Sequence, residues 1–113
     1  MKYALLIYGN EAAWDDLTAN GREKLDSTHS TLLRELNESG EHVLSNELST
    51  TSARVVRRNG ERLLVTDGPF VETKEIVGGF YIVECPSIER AVEIAGRLEE
   101  TTFSVVEVRE LMH

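Results

Sequence analysis

The chain has 113 residues, 41% hydrophobic and 28% charged, which is the size and make-up of one globular domain spanning residues 1–113. Its formal net charge of -8 argues against nucleic-acid binding, because phosphate recognition needs clustered Lys and Arg. No apolar run approaches the roughly 20 residues that span a bilayer, so no membrane partner is expected.

The opening segment, Lys2 to Tyr8, is a continuous apolar run closed by Gly9-Asn10 and reads as a buried strand. Tyr3 and Tyr8 interrupt it, and it lacks the cleavage pattern of a secretion signal. The stretch EAAWDDLTAN is polar apart from Trp14 and Leu17 and reads as a loop with one helical turn. A helix is predicted from about Gly21 to Ser39. Leu25, His29, Leu32, Leu33 and Leu36 share one face of it, and Gly40 stands where a C-cap belongs. His42 to Leu48 reads as a second strand.

The segments ARVVRR and RLLVTD flank Asn59-Gly60, a dipeptide suited to a two-residue hairpin turn. The expected pairs are Arg58 with Glu61, Val56 with Leu63 and Val55 with Leu64. Arg54, Arg57, Arg58 and Arg62 surround the tip and read as a solvated edge. Gly78 to Cys85 is the next strand. Ser87 then caps a helix whose buried face is expected to be Ile88, Ala91, Val92, Ala95 and Leu98. Ser104 to Glu110 closes the chain. Cys85 is the single cysteine, which forbids an internal disulfide and fits a reducing, cytoplasmic compartment.

The order β-α-β-hairpin-β-α-β predicts an α+β fold: a ferredoxin-like split βαβ with an inserted hairpin, its antiparallel sheet covered by two helices on one face. Two helices cover only one face, yet both faces carry apolar residues: Ala4, Leu6 and Tyr8 oppose Tyr3, Leu5 and Ile7, and Phe80 and Ile82 oppose Tyr81 and Val83. A homodimer packed sheet to sheet is therefore expected.

The most unusual run is Asp67-Gly68-Pro69-Phe70-Val71-Glu72-Thr73-Lys74-Glu75, followed by Gly78-Gly79-Phe80-Tyr81. With the opening MKYALLIYG and the late VEVRELM, it resembles the DGPF-motif branch of the YCII-related family over essentially the whole chain. The resemblance implies a dimeric α+β barrel. Some YCII-related relatives are degradative enzymes for small aromatic or ring-derived compounds, and DGPF members are often encoded beside alternative sigma factors. It also implies a catalytic pair: a histidine on the first helix, which His29 matches, and an aspartate near the end of the second. The comparable segment here, Leu98-Glu99-Glu100-Thr101-Thr102, has no aspartate.

From the residues themselves, His29 replaces an apolar side chain on the inner stripe of its helix. It is either a core imidazole bonded to a backbone carbonyl or a general acid or base in a cavity. Asp67 is either turn chemistry, with Gly68 taking an unusual φ, Pro69 rigidifying the exit and Phe70 plugging the core, or a catalytic carboxylate at a pocket mouth. In the second case Phe70, Glu72, Thr73, Lys74, Glu75 and Tyr81 would bind substrate. Gly78-Gly79 would permit close backbone approach. No metal-ligand spacing or dinucleotide-binding glycine motif is present, so no cofactor is expected. Two functions compete: a cofactor-free proton-transfer enzyme for a small organic molecule, and a ligand-sensing or partner-binding regulatory module.

Overall fold

A continuous apolar run makes Lys2–Gly9 (β1) an inner strand of the sheet. A computed structural model describes residues 1–70 and 75–113. After β1 come α1 (Glu11–Asp15), α2 (Ala19–Ser39), β2 (His42–Glu47), β3 (Arg54–Asn59), β4 (Arg62–Asp67) and β5 (Ile76–Glu84). The chain continues through α3 (Ile88–Gly96) and a 3₁₀ turn (Glu99–Thr102) to β6 (Val106–Glu110). Strands order as β2-β5-β1-β6 in one antiparallel sheet, and β3-β4 form a separate two-stranded sheet. β1 and β2 are parallel with β5 between them, the split βαβ arrangement of an α+β, ferredoxin-like fold.

One face of the sheet is buried. Tyr3, Leu5 and Ile7 of β1 and Tyr81 and Val83 of β5 pack with Leu32 and Leu36 of α2, and with Ala91, Ile94, Ala95 and Leu98 around α3. The opposite face carries Ala4, Leu6, Tyr8, Phe80 and Ile82, all only part-buried, and Leu44, which is 52% exposed. On β6 that face turns charged: Glu107 pairs with Leu6 and Arg109 with Ala4.

Caps and ion pairs fix the helices. Thr18 Oγ1 accepts from the Gly21 amide at 3.0 Å, so α2 begins slightly ahead of the predicted start. Gly40, at φ 79°, ends the helix, and the Glu41 amide reaches back to the Leu36 carbonyl at 2.9 Å. The Arg90 guanidinium forks onto Glu41, Nε to Oε2 and Nη2 to Oε1, both at 2.8 Å, and pins α3 to the start of β2. The expected stripe needs correction: Ala91, Ile94, Ala95 and Leu98 are buried, whereas Ile88 and Val92 are exposed.

The hairpin also needs correction. Asn59 pairs with Arg62, Arg58 with Leu63 and Val56 with Val65, so the turn residues are Gly60-Glu61. Gly60 takes φ 62° and, among the described residues, no non-glycine residue has positive φ, which suits glycine at the first central position of a type II′ turn. The slip moves every pair by two residues, so each side chain keeps its predicted face. At its base, Gly68 has no positive φ. A Cβ there would lie 3.2 Å from Ala53 Cβ and 3.3 Å from Val55 Cγ2, so contact rather than conformation calls for glycine.

Candidate functional site

The stripe of α2 divides as it runs along the sheet. Leu32 and Leu36 enter the core, while Leu25, His29 and Leu33 face a cavity of about 530 Å³. The cavity is closed on one side by Trp14 and Leu17, on another by Ser45 to Leu48, and below by Ile7, Gly79 and Tyr81. The Trp14 indole lies directly on the backbones of Gly9 and Gly78. A Cβ on either glycine would come within 2.5 or 2.6 Å of the ring. The double glycine expected to permit close approach admits, at Gly78, a tryptophan of the same chain.

His29 sits at the inner end of this cavity with its side chain 24% exposed. Its Nδ1 lies 2.6 Å from the Tyr81 hydroxyl and its Nε2 lies 2.7 and 2.9 Å from the two Glu100 oxygens. The imidazole and phenol rings also stack, with centroids 5.7 Å apart. Neither nitrogen bonds a backbone carbonyl, so the first of the two readings of His29 does not describe it. Glu100 is the sole charged side chain in the core, 6% exposed, among the described residues. The 3₁₀ turn swings it under α2, and Lys24 reaches the neighbouring Glu99 at 3.6 Å across the same contact.

A carboxylate only accepts hydrogen bonds, so Glu100 holds the proton of His29 on Nε2. Nδ1 is then the acceptor for the Tyr81 hydroxyl. Burial, reinforced by the Glu100 charge, pushes the Tyr81 phenol up to about 12, so it remains protonated at neutral pH. The three side chains thus form a hydrogen-bonded chain opening on a partly apolar cavity. Arg22, Asp26 and Glu47 add charge to its lining, and Arg22 donates to the Trp14 carbonyl at 3.0 Å.

The other candidates go elsewhere. Asp67 ends β4 with its side chain 91% exposed, 3.5 Å from Arg54, and does not line the His29 cavity. Phe70 is 45% exposed rather than a core plug, with the Arg57 guanidinium over its ring at 5.2 Å from the centroid. Glu75 accepts from Asn10 Nδ2 at 3.3 Å and from Ser104 Oγ at 3.4 Å, tying the ends of β1 and β6 to the start of β5. Phe70 and Glu75 line a second cavity of about 420 Å³ at the hairpin base. Glu72, Thr73 and Lys74 lie outside the described residues. Of the predicted set, the structure brings Tyr81 to His29.

Glu100 and Trp14 are the residues that sequence reasoning missed. An acidic side chain between Leu98 and Phe103, in a segment compared with one bearing an aspartate, was a signal for the first. Trp14 gave none beyond being apolar in a polar stretch. Among the described residues no group of three or more His, Cys, Asp and Glu side chains gathers to hold a metal. Cys85 is buried, and burial pushes its thiol up, so it stays protonated at neutral pH.

A split βαβ sheet with its hydrogen-bonded chain under the first long helix defines an α+β domain of the ferredoxin-like class. The YCII-related domain model matches residues 1–113, and the chain belongs to that family. An uncharacterised protein of Rhizobium meliloti (strain 1021) is 32% identical over 114 residues, covering 98% of this chain and 92% of that protein.

Proposed function

We propose that the protein is a cofactor-free enzyme that moves a proton on a small organic molecule held in the His29 cavity, by elimination, isomerisation or hydrolysis. The observation that carries this is His29 itself: a partly exposed imidazole held between a buried carboxylate and a phenol at the inner end of a cavity. Such a pair is the usual means of holding and delivering one proton at neutral pH. A cavity of this size suits a small ligand. Glu100 fills the role that the family resemblance assigned to an aspartate, one methylene longer and reaching from a 3₁₀ turn.

The test is hydrogen exchange in deuterated water with a panel of small cyclic ketones, lactones and phenols, followed by proton NMR. A turned-over compound should lose exchange by about 100-fold or more with His29→Ala and with Glu100→Gln. Compounds that bind in the cavity without exchange in the native protein would sink the enzyme and favour a ligand-sensing module. The run Asp67-Gly68-Pro69-Phe70 supports a place in the DGPF-motif branch. The unpartnered sheet face supports a homodimer, and the single cysteine fits a cytoplasmic setting.

A further inference from the structure

Both nitrogens of His29 are already engaged, which leaves it no atom with which to act directly on a ligand. We propose that Tyr81 is the group that meets the ligand, and that the proton on His29 sets whether its hydroxyl accepts or donates a hydrogen bond there. The ligand class follows: a small molecule with one polar oxygen or N–H. This inference rests on the reading of the His29 cavity as a ligand site.

Because a carboxylate only accepts, Glu100 keeps a hydrogen on Nε2 in both states of the imidazole, and Nδ1 is the nitrogen free to gain or lose one. With His29 neutral, the Tyr81 O–H donates to Nδ1 and its oxygen turns an acceptor toward the cavity. With His29 protonated, Nδ1–H donates to the same oxygen, and the phenolic hydrogen is released for a ligand carbonyl. Transfer from that second state balances. The phenolic O–H breaks as the ligand oxygen gains a proton, and Nδ1–H breaks as the phenol is restored. One proton has left the imidazolium, and His29 ends neutral with Nε2–H still on Glu100. Tyr81 is then the catalytic residue, and His29 and Glu100 are positioning residues that act through it. The charged groups that line the cavity with His29 are Arg22 and Asp26 on α2, Glu47 on β2 and Glu100 on the 3₁₀ turn.

Two neutral rings of opposite polarity test it: cyclohexanone, which only accepts, and pyrrole, whose N–H only donates. Binding is followed by the methyl resonances of Leu25 and Leu33, above and below the pH at which the ¹⁵N signals of His29 titrate. Protonation should tighten cyclohexanone and loosen pyrrole, each by roughly three- to tenfold. Tyr81→Phe and His29→Gln should both remove the opposed responses, the second variant guarding against a fold defect in the first. Responses of the same sign, persistence in Tyr81→Phe, or a neutral imidazole protonated on Nδ1 would each overturn the inference while leaving a ligand site. If neither ring moves those resonances, the cavity reading falls and takes this one with it.

Discussion

His29, Tyr81 and Glu100 come from three elements far apart in sequence, and each is understandable only through the other two. A lone glutamate buried beside Leu98 would carry an uncompensated desolvation cost; the imidazole N–H at 2.7 Å offsets it. The phenol registers that carboxylate from the far side of the ring. Its proton is held up to about 12 against an ordinary 10.0, so the native state binds that proton more tightly than the unfolded chain does. Stability from Tyr81 is therefore complete below about pH 10 and lost as pH rises toward about 12, on the order of 2–3 kcal/mol in all. Denaturant unfolding between pH 9 and 12 should show that decline, and Tyr81→Phe should flatten part of it. An unchanged slope in the variant would mean that another group carries the effect. His29 was readable in the sequence as a polar interruption of an apolar stripe. Its partners were not, because periodicity reports which face a residue takes and not what stands opposite it in space.

At the scale of elements, local chemistry was read well where it is local. Gly40 caps α2 and Ser87 caps α3, whose Ser87 Oγ accepts from the Arg90 amide at 3.2 Å. The misreadings arose where a tertiary contact decides. The expected α3 face of Ile88, Ala91, Val92, Ala95 and Leu98 holds at Ala91, Ala95 and Leu98, but Ile94 is buried where Ile88 and Val92 are exposed. The hairpin turn slipped by one residue because Asn59-Gly60 and Gly60-Glu61 both supply a glycine, at different turn positions. The Arg90 pair has a consequence in acid. Its guanidinium holds the Glu41 carboxyl below the ordinary range, so this contribution is present above the unfolded glutamate value and lost as pH falls through the lowered one. Arg90→Met should cost about 1 kcal/mol at pH 7, and its deficit should shrink below about pH 4 in thermal melts. A deficit that stays constant down to pH 2 would point to packing of the arginine stem instead.

For the whole molecule, the sheet keeps one face without a helix. The Cα radius of gyration is 15.9 Å, where a packed domain of this length has about 13 Å, and the extents are 48 × 39 × 18 Å. Both numbers describe a slab with an arm. The arm is the β3-β4 hairpin, on which Val56, Leu63 and Val65 are 59%, 56% and 55% exposed. An isolated two-stranded hairpin is marginal in water, and apolar side chains on the arm and on the open sheet call for the same kind of cover. A second copy packed on Leu6, Phe80 and Ile82, as in the proposed homodimer, would supply it. Sedimentation at low micromolar concentration should give a dimer, and Leu6→Lys should convert it to a monomer that retains the native far-ultraviolet spectrum. A monomeric native protein at that concentration would end the proposal. That face was readable from alternation in β1 and β5, whereas the charged turn it takes along β6, at Glu107 and Arg109, shows how far the apolar area extends.

Trp14 is the one tryptophan of the chain, and it lies on two glycine backbones at the wall of the His29 cavity. Its fluorescence is therefore the emission of a single place rather than an average over the molecule. Anything that enters the cavity, displaces α1 or adds a methyl group at Gly78 changes the surroundings of the same indole. The protein thus carries an optical label at the point where its function is in question, with no need to attach one.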